Sequence, residues 1–400
     1  MSLLSGITVL SVEQATTLPY LTQRLAREGA RVIRLETPGK GDPNRYVGSD
    51  ILGEEGMASY FLPNNCGKQA ITLNLAQAEG RALLKRLISD LPAEGGERRG
   101  VDIFATNSRP SSYRKLGIEE KELRSVRPDL IWLGITGYGP DCDEPAYDPI
   151  IQAKAGWMDL TGEADGPPLV FGLPMVDLGA AEHAYGAVMK ALYGRALTGE
   201  GARIDLSLCG SALGWMVSPI ALSALGEPIT RRGNTHQFFA PASVYSTRDG
   251  YAYVAVGNDR QWEAITGVPG FERLAEPEYA RNAGRIADVD RLNARLTEAS
   301  GEWKTDELIG SLQAAGVPAA KVSRLADVVD GLSNAGGAAR ARDPKTGVEV
   351  LLPPLPVVSE PGLTELAFPP RLGEHNEAVF GDGLGLSPAE LSQLGSQGVV

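Results

Sequence analysis

An aspartate stands near the start of an apolar, helix-forming stretch, GLPMVDLGAAEHAYGAVMKALYGRALTGEG, at residues 172–201. Asp177 can cap the helix there by accepting hydrogen bonds from its first free N–H groups. The positive end of a helix also favours a negative charge, so the same place would keep the carboxylate ionised. An ionised, oriented carboxylate can attack an acyl group, with nearby N–H groups stabilising the oxyanion. Gly172 and Gly179 would let a substrate approach closely. Capping and nucleophilic attack are both open roles for Asp177.

The histidines supply no catalytic partner by spacing. His183 follows Asp177 by six residues, which is not an offset that places two side chains on one helix face. We expect His183 to be a satisfied core residue rather than a catalytic one. His236 stands in a loop between two predicted domains and can line a cleft. The sequence has no Ser/His/Asp elbow, no H-E-x-x-H motif and no clustered carboxylates, so we expect no metal site.

Two basic clusters follow predicted strands and can hold phosphate oxygens. ETPGKGDPNR, at 36–45, offers backbone N–H groups and cations beyond a strand end, where open α/β sheets bind ligands. NSRPSSYRK, at 107–115, sets basic residues beside serines. A plain surface turn and a solvated loop are the alternative interpretations. The cations of the two clusters are Lys40, Arg45, Arg109, Arg114 and Lys115. Glu36 indicates a dinucleotide site only weakly, because the turn after the first strand lacks G-x-G-x-x-G.

Composition narrows the class of protein. With 38 basic and 50 acidic residues the formal net charge is −12, which argues against non-specific nucleic-acid binding and a polybasic membrane contact. The three cysteines lack metal or redox spacing, so a reduced compartment is expected. The chain shows no stretch of membrane-span length, and its start does not resemble a secretory signal. These features predict a soluble cytoplasmic protein.

The first third of the chain alternates strand and helix patterns, which predicts a parallel, doubly wound sheet of the α/β class. The predicted strands cover 7–12, 31–36, 70–75, 101–107 and 130–137, and the predicted helices cover 18–30 and 76–90. Residues 92–100, PAEGGERRG, break the alternation and are expected to form an exposed loop.

The rest of the chain does not continue the alternation of strands and helices. Residues 150–225 read as mostly helical, and 242–258 read as a hairpin whose turn uses a positive φ at Gly250. Helical patterns follow at 259–266, 286–298 and 304–315. We therefore predict a large domain over 1–220, a small α+β domain over 225–325, and a segment, 326–400, that completes the large domain. The Pro- and Gly-rich tail is expected to wrap over a partner surface.

Several segments, in order and at fitting spacing, resemble family III CoA-transferases, which include formyl-CoA and carnitine CoA-transferases and α-methylacyl-CoA racemase. The resemblance rests on LSGITVLSVEQATTLPYLTQRLAREGARVIRLETPGKGDPNR, YFLPNNCGKQAITLNL, NSRPSSYRKLGI, LIWLGITGYGPDCDEPAYDPIIQAKAGWMDLTGE, MVDLGAAEHAYGAVMKALYGRALTGEGARIDLSL and RRGNTHQFFAPASVYSTRDGYAYVAVGN. It implies a Rossmann-like large domain built from both chain ends, a small central domain, and two chains interlocked as a homodimer.

The same resemblance implies the chemistry and the residues that carry it. Asp177 matches the nucleophile that forms acyl anhydride and CoA thioester intermediates, and coenzyme A takes part as a substrate, without metal or redox cofactor. The implied CoA contacts are Lys40, Arg45, Asn107, Arg109, Arg114, Lys115, Tyr138 and Tyr147. The implied substrate contacts are Thr16, Thr17, His236 and Gln237.

One position separates transferase from racemase within the family. Racemases resemble one another in a Gly-His-Asp stretch whose histidine moves the α-proton, and Tyr147 stands at that place. Tyrosine normally titrates near pH 10 and is a poor base at neutral pH, so transferase is favoured. A racemase with another base, such as His183, and a catalytically idle CoA-binding homologue remain the alternatives.

The substrate pair is predicted from resemblance alone. Segments SVEQATTLPY, LGWMVSPIAL and RRGNTHQFFAP look most like the branch that uses succinyl-CoA with mesaconate, itaconate or citramalate. THQFFAP replaces the glycine-rich loop of the formyl-CoA branch, which argues against formate or oxalate. A second carboxylate needs local cations or donors, and the candidates are Arg231, Arg232, His236 and Gln237. Whether Glu182 or His183 assists or merely packs is open.

Overall fold

A computed structural model describes residues 2–93, 100–334, 336–357 and 362–400. The chain divides into two compact units. The first comprises 1–155, 171–221 and 332–400, and the second comprises 156–170 and 222–331. The predicted exposed loop at 92–100 falls largely on residues 94–99, which lie outside the described residues. The predicted domain boundaries stay predictions.

Within the described residues, six parallel strands form the sheet of the first unit, in the order β3-β2-β1-β4-β5-β6. They are β1 (Thr8–Val12), β2 (Arg31–Glu36), β3 (Gln69–Thr72), β4 (Ile103–Thr106), β5 (Ile131–Thr136) and β6 (Arg203–Ser207). The first five match the predicted strands, and the α/β class with a parallel sheet is confirmed. Their buried apolar side chains belong to a core that also includes side chains of neighbouring helices, because parallel strands are normally covered by helices.

β6 falls in a region predicted as mostly helical, and that prediction is wrong for 203–207. The strand lies at the sheet edge, and its alternate residues Arg203 and Asp205 pair with each other, Nε to Oδ2 at 2.7 Å. An edge strand needs no continuous apolar run, so it carries too few apolar residues to show as a buried strand.

Helices connect many of the strands. They are α1 (Thr17–Arg27), α2 (Ala78–Asp90), α3 (Tyr113–Leu116), α4 (Glu120–Arg124), α5 (Asp148–Lys154), α6 (Trp157–Leu160), α7 (Met175–Thr198), α8 (Leu208–Trp215), α9 (Val217–Ala224), α10 (Asp259–Thr266), α11 (Asn282–Ala287), α12 (Val289–Ser300), α13 (Thr305–Ala314), α14 (Leu325–Asn334) and α15 (Pro388–Ser396). Across the described ranges, none is both long and apolar enough to cross a membrane.

The second unit holds the predicted hairpin. β7 (Ala242–Ser246) and β8 (Tyr251–Ala255) pair antiparallel, and β9 (Ala319–Lys321) adds to β8. The reason given for the turn is wrong, because Gly250 is not among the glycines with positive φ. Asp249 instead accepts hydrogen bonds from the Thr305 N–H and hydroxyl, at 2.8 and 2.7 Å. A Cβ at Gly250 would stand 3.1 Å from the same hydroxyl.

The described part of the tail folds back on its own chain, and the expectation that the tail wraps over a partner surface stays a prediction. β10 (Ala339–Arg342), β11 (Glu349–Leu352) and β12 (Glu365–Leu366) form a small sheet over Phe61 and Cys66. Phe380 and Val399 are buried in the core of the first unit. Pro and Gly interrupt these short elements, so the sequence pattern reveals few of them.

Candidate active site

A cavity of about 170 Å³ opens beyond the carboxyl ends of β1 and β4. The strand order reverses between these two strands, which is where open α/β sheets bind ligands. The lining includes Asp177 and residues after β1, β4 and β5, namely Gln14, Ala15, Thr17, Asn107, Ser108, Arg109, Thr136, Gly137, Cys142, Asp143, Glu144 and Tyr147. The first unit thus brings Asp177 and Thr17 together with Asn107, Arg109 and Tyr147.

Asp177 lies in the first turn of α7 and points its carboxylate at the start of α1. The Thr17 hydroxyl donates to Asp177 Oδ1 at 2.5 Å. Asp177 lines the cavity, and its Oδ2 has no hydrogen-bond partner among the described residues, so one carboxylate oxygen is held and the other is free. Burial raises the pKa of Asp177 to about 6, the Thr17 hydrogen bond lowers it, and the nearby Asp148 charge raises it. The expectation that the helix end alone keeps this group fully ionised is therefore too simple.

Asp177 does not cap its helix, which corrects the first of its two predicted roles. The capping carboxylate belongs to Asp148, whose Oδ2 accepts the N–H groups of Val176 and Asp177 at 2.7 and 3.1 Å. Asp148 is buried, and its Oδ1 accepts from Gln152 Nε2 at 2.6 Å. Sequence reasoning missed Asp148. Its only signal was its position directly after Tyr147 at the start of α5.

The first N–H groups of α7 are not free for an oxyanion. Those of Val176 and Asp177 bond Asp148, and those of Met175 and Leu178 bond the carbonyls of Leu173 and Pro174. At the start of α1, by contrast, the N–H groups of Thr17 and Leu18 have no acceptor within the described part of the chain. The helix end that faces the Asp177 carboxylate is that of α1.

Gly179 and His183 also differ from expectation, whereas Gly172 does not. A Cβ on Gly179 would stand 2.4 Å from Trp215 Nε1, so this glycine makes room for an indole rather than for a substrate. Gly172 has open space around it. His183 is exposed, not in the core. Its Nδ1 lies 2.8 Å from Ser211 Oγ and its ring stacks on Trp215 at 5.0 Å.

Arg45 is wrong as a phosphate contact. Its side chain is 1% exposed and binds Glu36 through two contacts, Nε to Oε1 at 2.8 Å and Nη2 to Oε2 at 2.6 Å. The remaining N–H groups bond carbonyls, including that of Pro370. A guanidinium buried in this way cannot reach a ligand. Glu36 is equally occupied, which removes the weak indication of a dinucleotide site.

The other predicted phosphate contacts differ in whether they line the Asp177 cavity and whether their side chains already have partners. Arg109 lines the Asp177 cavity. Asn107 lines it too, but its carboxamide bonds the backbone N–H and carbonyl of Gln14, at 3.1 and 2.8 Å, and so is not free for CoA. The exposed cations Lys40, Arg114 and Lys115 do not line this cavity. Arg114 lies 3.5 Å from Glu119.

A second cavity, of about 260 Å³, lies beyond the carboxyl ends of β1, β2 and β3. It shares Gln14 and Ser108 with the Asp177 cavity. The two cavities therefore follow one sheet edge and meet at these residues. Gln14 was missed as a lining residue because an exposed glutamine after a strand carries no distinctive sequence signal.

The remaining predicted CoA and substrate contacts lie partly in the first unit and partly in the second. Tyr147 is 73% exposed at the cavity rim, and the Tyr138 ring lies 3.9 Å from Lys154 Nζ. Thr16 is buried, with Oγ1 at 3.4 Å from the Tyr60 hydroxyl. His236 and Gln237 belong to the second unit, as do Arg231 and Arg232.

Within that unit, three of the four candidates for a second carboxylate have partners, whereas the buried Nε of Arg232 has no hydrogen-bond partner among the described residues. The Phe238 N–H donates to His236 Nδ1 at 3.1 Å, and Gln237 Nε2 donates to the Pro228 carbonyl at 3.3 Å. Arg231 pairs with Asp159 at 2.9 Å. Over the residues that the structure describes, no group of three or more His, Cys, Asp or Glu side chains is arranged to hold a metal.

Comparison with known proteins gives a consistent result. The sequence model described as CoA-transferase family III matches residues 4–376. Succinate–glutarate CoA-transferase of Agrobacterium fabrum is 30% identical over 397 residues, covering 95% of each chain. Acetyl-CoA:oxalate CoA-transferase of Acetobacter aceti is 34% identical over 358 residues, 88% of each chain. The crystal structure of a CaiB/BaiF family protein from Brucella suis superposes with a TM-score of 0.82 at 32% identity, covering 95% of this chain and 99% of that one.

Proposed function

The chain belongs to CoA-transferase family III, and we propose that it transfers CoA from succinyl-CoA to a short dicarboxylate with Asp177 as the covalent nucleophile. Acyl-CoA:carboxylate CoA-transfer is the activity of the family, as its named relatives illustrate. The identity of the nucleophile, the substrates and the assembly are the proposed parts.

The hydrogen bond between Thr17 and Asp177 carries the proposal. It fixes Oδ1 and leaves Oδ2 as the attacking atom, in a cavity at the sheet edge where ligands bind. With a pKa of about 6, the carboxyl is mostly ionised at neutral pH, and its raised pKa makes it a stronger nucleophile than an ordinary aspartate.

In the first half of the reaction, CoA moves from the donor acyl group to Asp177. Asp177 Oδ2 attacks the thioester carbonyl of the donor, the C–S bond breaks, and CoA leaves as a thiolate. The product is a mixed anhydride between Asp177 and the donor acyl group. The thiolate then attacks the Asp177 carbonyl carbon, forms an aspartyl-CoA thioester and releases the donor acid as a carboxylate.

The second half repeats these steps in reverse with the acceptor. The acceptor carboxylate attacks the aspartyl-CoA thioester and gives a second anhydride with release of thiolate. Attack of the thiolate on the acceptor acyl carbon forms the new acyl-CoA and regenerates the Asp177 carboxylate. No water, net proton or electron is consumed, and one thioester replaces another. We assign stabilisation of each oxyanion to the start of α1, where the Thr17 and Leu18 N–H groups have no acceptor among the described residues.

CoA and the acceptor divide the two cavities between them in this proposal. The cavity beyond β1, β2 and β3 would take the nucleotide end of CoA, with Arg109 and the exposed Lys40, Arg114 and Lys115 meeting phosphates. The smaller Asp177 cavity would hold the reacting carboxyl groups. Tyr138 and Tyr147 remain CoA contacts, and Thr16, His236 and Gln237 remain substrate contacts, as predictions.

A short dicarboxylate is the substrate class that the names of the two relatives reported above have in common. The relatives named above act on glutarate with succinate and on oxalate, which are dicarboxylates of different length. The expectation that THQFFAP disfavours formate and oxalate, and favours mesaconate, itaconate or citramalate, stays a prediction. A homodimer of interlocked chains and a cytoplasmic location are further parts of the proposal.

Mass spectrometry of the protein mixed with succinyl-CoA tests the nucleophile. Hydroxylamine should convert the activated Asp177 acyl group to a hydroxamate in a peptide that contains residue 177. Asp177→Ala should give neither the adduct nor CoA exchange. Asp327→Ala is the matched control, because Asp327 is an acid in the first turn of α14 that pairs only with Arg324 among its described contacts. Normal exchange by Asp177→Ala would refute the proposed mechanism.

The same preparation separates the two alternatives. Deuterium wash-in at the α-carbon of a branched acyl-CoA, with no acceptor acid present, would indicate a racemase. CoA binding without any hydroxylamine-trapped peptide would indicate an idle homologue. A panel of oxalate, glutarate, mesaconate, itaconate, citramalate and formate as acceptors then ranks the substrates.

A further inference from the structure

Gln14 and Ala15 line the Asp177 cavity, and side chains from other loops hold their backbone in place. The Gln14 N–H donates to Asn107 Oδ1 at 3.1 Å, and Asn107 Nδ2 donates to the Gln14 carbonyl at 2.8 Å. The Ala15 N–H donates to Asp42 Oδ1 at 3.2 Å, and Asn44 Nδ2 donates to the Ala15 carbonyl at 2.8 Å. All four backbone polar groups of Gln14–Ala15 therefore have side-chain partners.

Ala15 needs this support because its backbone is unusual. Its φ is +62°, and it is the one non-glycine residue in the left-handed region across the described residues. An alanine disfavours this region because its Cβ crowds the backbone, and such conformations persist only where surrounding contacts enforce them. The left-handed residue turns the chain from β1 into α1, whose first residue is Thr17.

The clamp on Ala15 is anchored in a buried ionic cluster. Asp42 Oδ2 accepts from Arg34 Nη2 at 3.0 Å, and the Asp42 N–H donates to Glu36 Oε1 at 2.8 Å. Arg34 also lies near Glu13, which binds Lys68 Nζ at 2.7 Å. Six charges meet here with a formal sum of zero, from Glu13, Glu36, Asp42, Arg34, Arg45 and Lys68. None is free to move with a ligand, so the clamp is rigid at its base.

We propose that Asp42, Asn44 and Asn107 are positioning residues, which hold Gln14–Ala15 in the conformation that places the Thr17 hydroxyl on Asp177. This inference rests on the proposed role of Asp177 as nucleophile. Asn44 and Asn107 come from the two loops predicted to bind phosphate. Those loops thus shape the wall of the reaction cavity in addition to any contact with CoA.

Substitution of either asparagine should reduce turnover more than binding. Asn44→Asp and Asn107→Asp keep the side-chain shape and remove the N–H donor to the Ala15 or Gln14 carbonyl. A shift of about 1 Å in a reacting group can cost about a hundredfold in rate, so we expect kcat to fall by about tenfold to a hundredfold. KM for succinyl-CoA should change much less, and the acid limb of the pH–rate profile should move to higher pH as the Thr17 bond weakens.

Asn376→Ala is the matched control for lost stability without a misplaced site. Asn376 Oδ1 accepts the Thr72 N–H at 2.8 Å on the outer strand of the sheet, and Asn376 lines neither cavity. Thermal unfolding of all variants separates loss of folding from loss of positioning. A kcat for both asparagine variants within about twofold of the control would overturn the proposal.

Rescue by glycine tests the part played by Ala15. Glycine adopts positive φ without a Cβ clash, so the kcat loss from Asn44→Asp should shrink in the Ala15→Gly background. Equal losses in both backgrounds would show that left-handed strain is not what the clamp opposes. An inactive Asp177→Ala beside normal asparagine variants would refute the clamp alone. An active Asp177→Ala would refute the nucleophile itself.

Discussion

At the scale of single residues, the site divides two tasks between two carboxylates. Asp177 was expected to serve as helix cap and nucleophile together, but Asp148 caps α7 and leaves Asp177 for the cavity. A sequence can place an aspartate in the first turn of a helix. It cannot tell which of several aspartates reaches the free N–H groups, because the capping side chain here comes from another helix, 29 residues away from Asp177.

Two conservative substitutions should move the pKa of Asp177 in opposite directions. Thr17→Val removes the hydrogen bond that lowers it, so the acid limb of kcat/KM should shift above the wild-type value near pH 6. Asp148→Asn removes the negative charge that raises it and keeps an oxygen for the helix N–H groups, so the limb should shift below. A pH–rate series from 4.5 to 8 on the three proteins measures both shifts. Shifts of the same sign would contradict this account of the site.

At the scale of elements, strand ends were the most informative part of the sequence. The apolar runs predicted five of the strands, and the parallel topology then placed the loops after β1, β2 and β4 along one sheet edge. The contacts that individual side chains of those loops make could not be predicted from the sequence. Arg45 looks like a phosphate contact in sequence, yet it is buried against Glu36 and the Pro370 carbonyl. Its partner Pro370 lies 325 residues away, beyond the reach of any local pattern.

The tail pairs with β3, the strand at one lateral end of the sheet, through His375. The Ala70 N–H donates to His375 Nδ1 at 3.2 Å, and the His375 N–H donates to the Ala70 carbonyl at 2.9 Å. These bonds occupy β3, an edge strand that would otherwise expose unpaired backbone groups. Protonation of Nδ1 removes the acceptor, so the junction between tail and strand should depend on pH.

Burial lowers the pKa of His375, with Arg31 acting in the same direction and Glu374 against it. A lowered pKa means that the unfolded chain binds the proton more readily. The stabilisation is therefore complete above the ordinary histidine value of 6.5 and is lost as pH falls through the lower folded value. The protection of the Ala70 amide against hydrogen exchange, corrected for the intrinsic exchange rate at each pH, should therefore decrease as the pH is lowered from 7.5 to 5. His375→Asn, which keeps a non-titrating acceptor, should flatten that change, and an unaltered profile would count against the junction.

At the scale of the whole molecule, several large apolar side chains on α7, α8 and α9 are exposed. Tyr193 and Leu197 of α7 are each 69% exposed, and Trp215 of α8 is 53% exposed. α9 follows with Val217 at 69% and no buried residue. Large exposed apolar surfaces of this kind usually meet a partner. In the proposed homodimer, we predict that these helices form the faces that a second copy covers.

Interlocking of the two chains in the proposed homodimer predicts a behaviour that ordinary dimers do not show. If two copies thread through each other, they cannot separate without unfolding, whatever the strength of their contacts. Two differently tagged preparations, mixed at high dilution for days, should therefore form no mixed dimers by native mass spectrometry. Mixed dimers should appear only after denaturation and refolding together. Val217→Glu should hinder assembly during refolding, because it buries a charge against an apolar face. Exchange of subunits under native conditions would show that the dimer is not interlocked, and a monomer in sedimentation would remove the dimer itself.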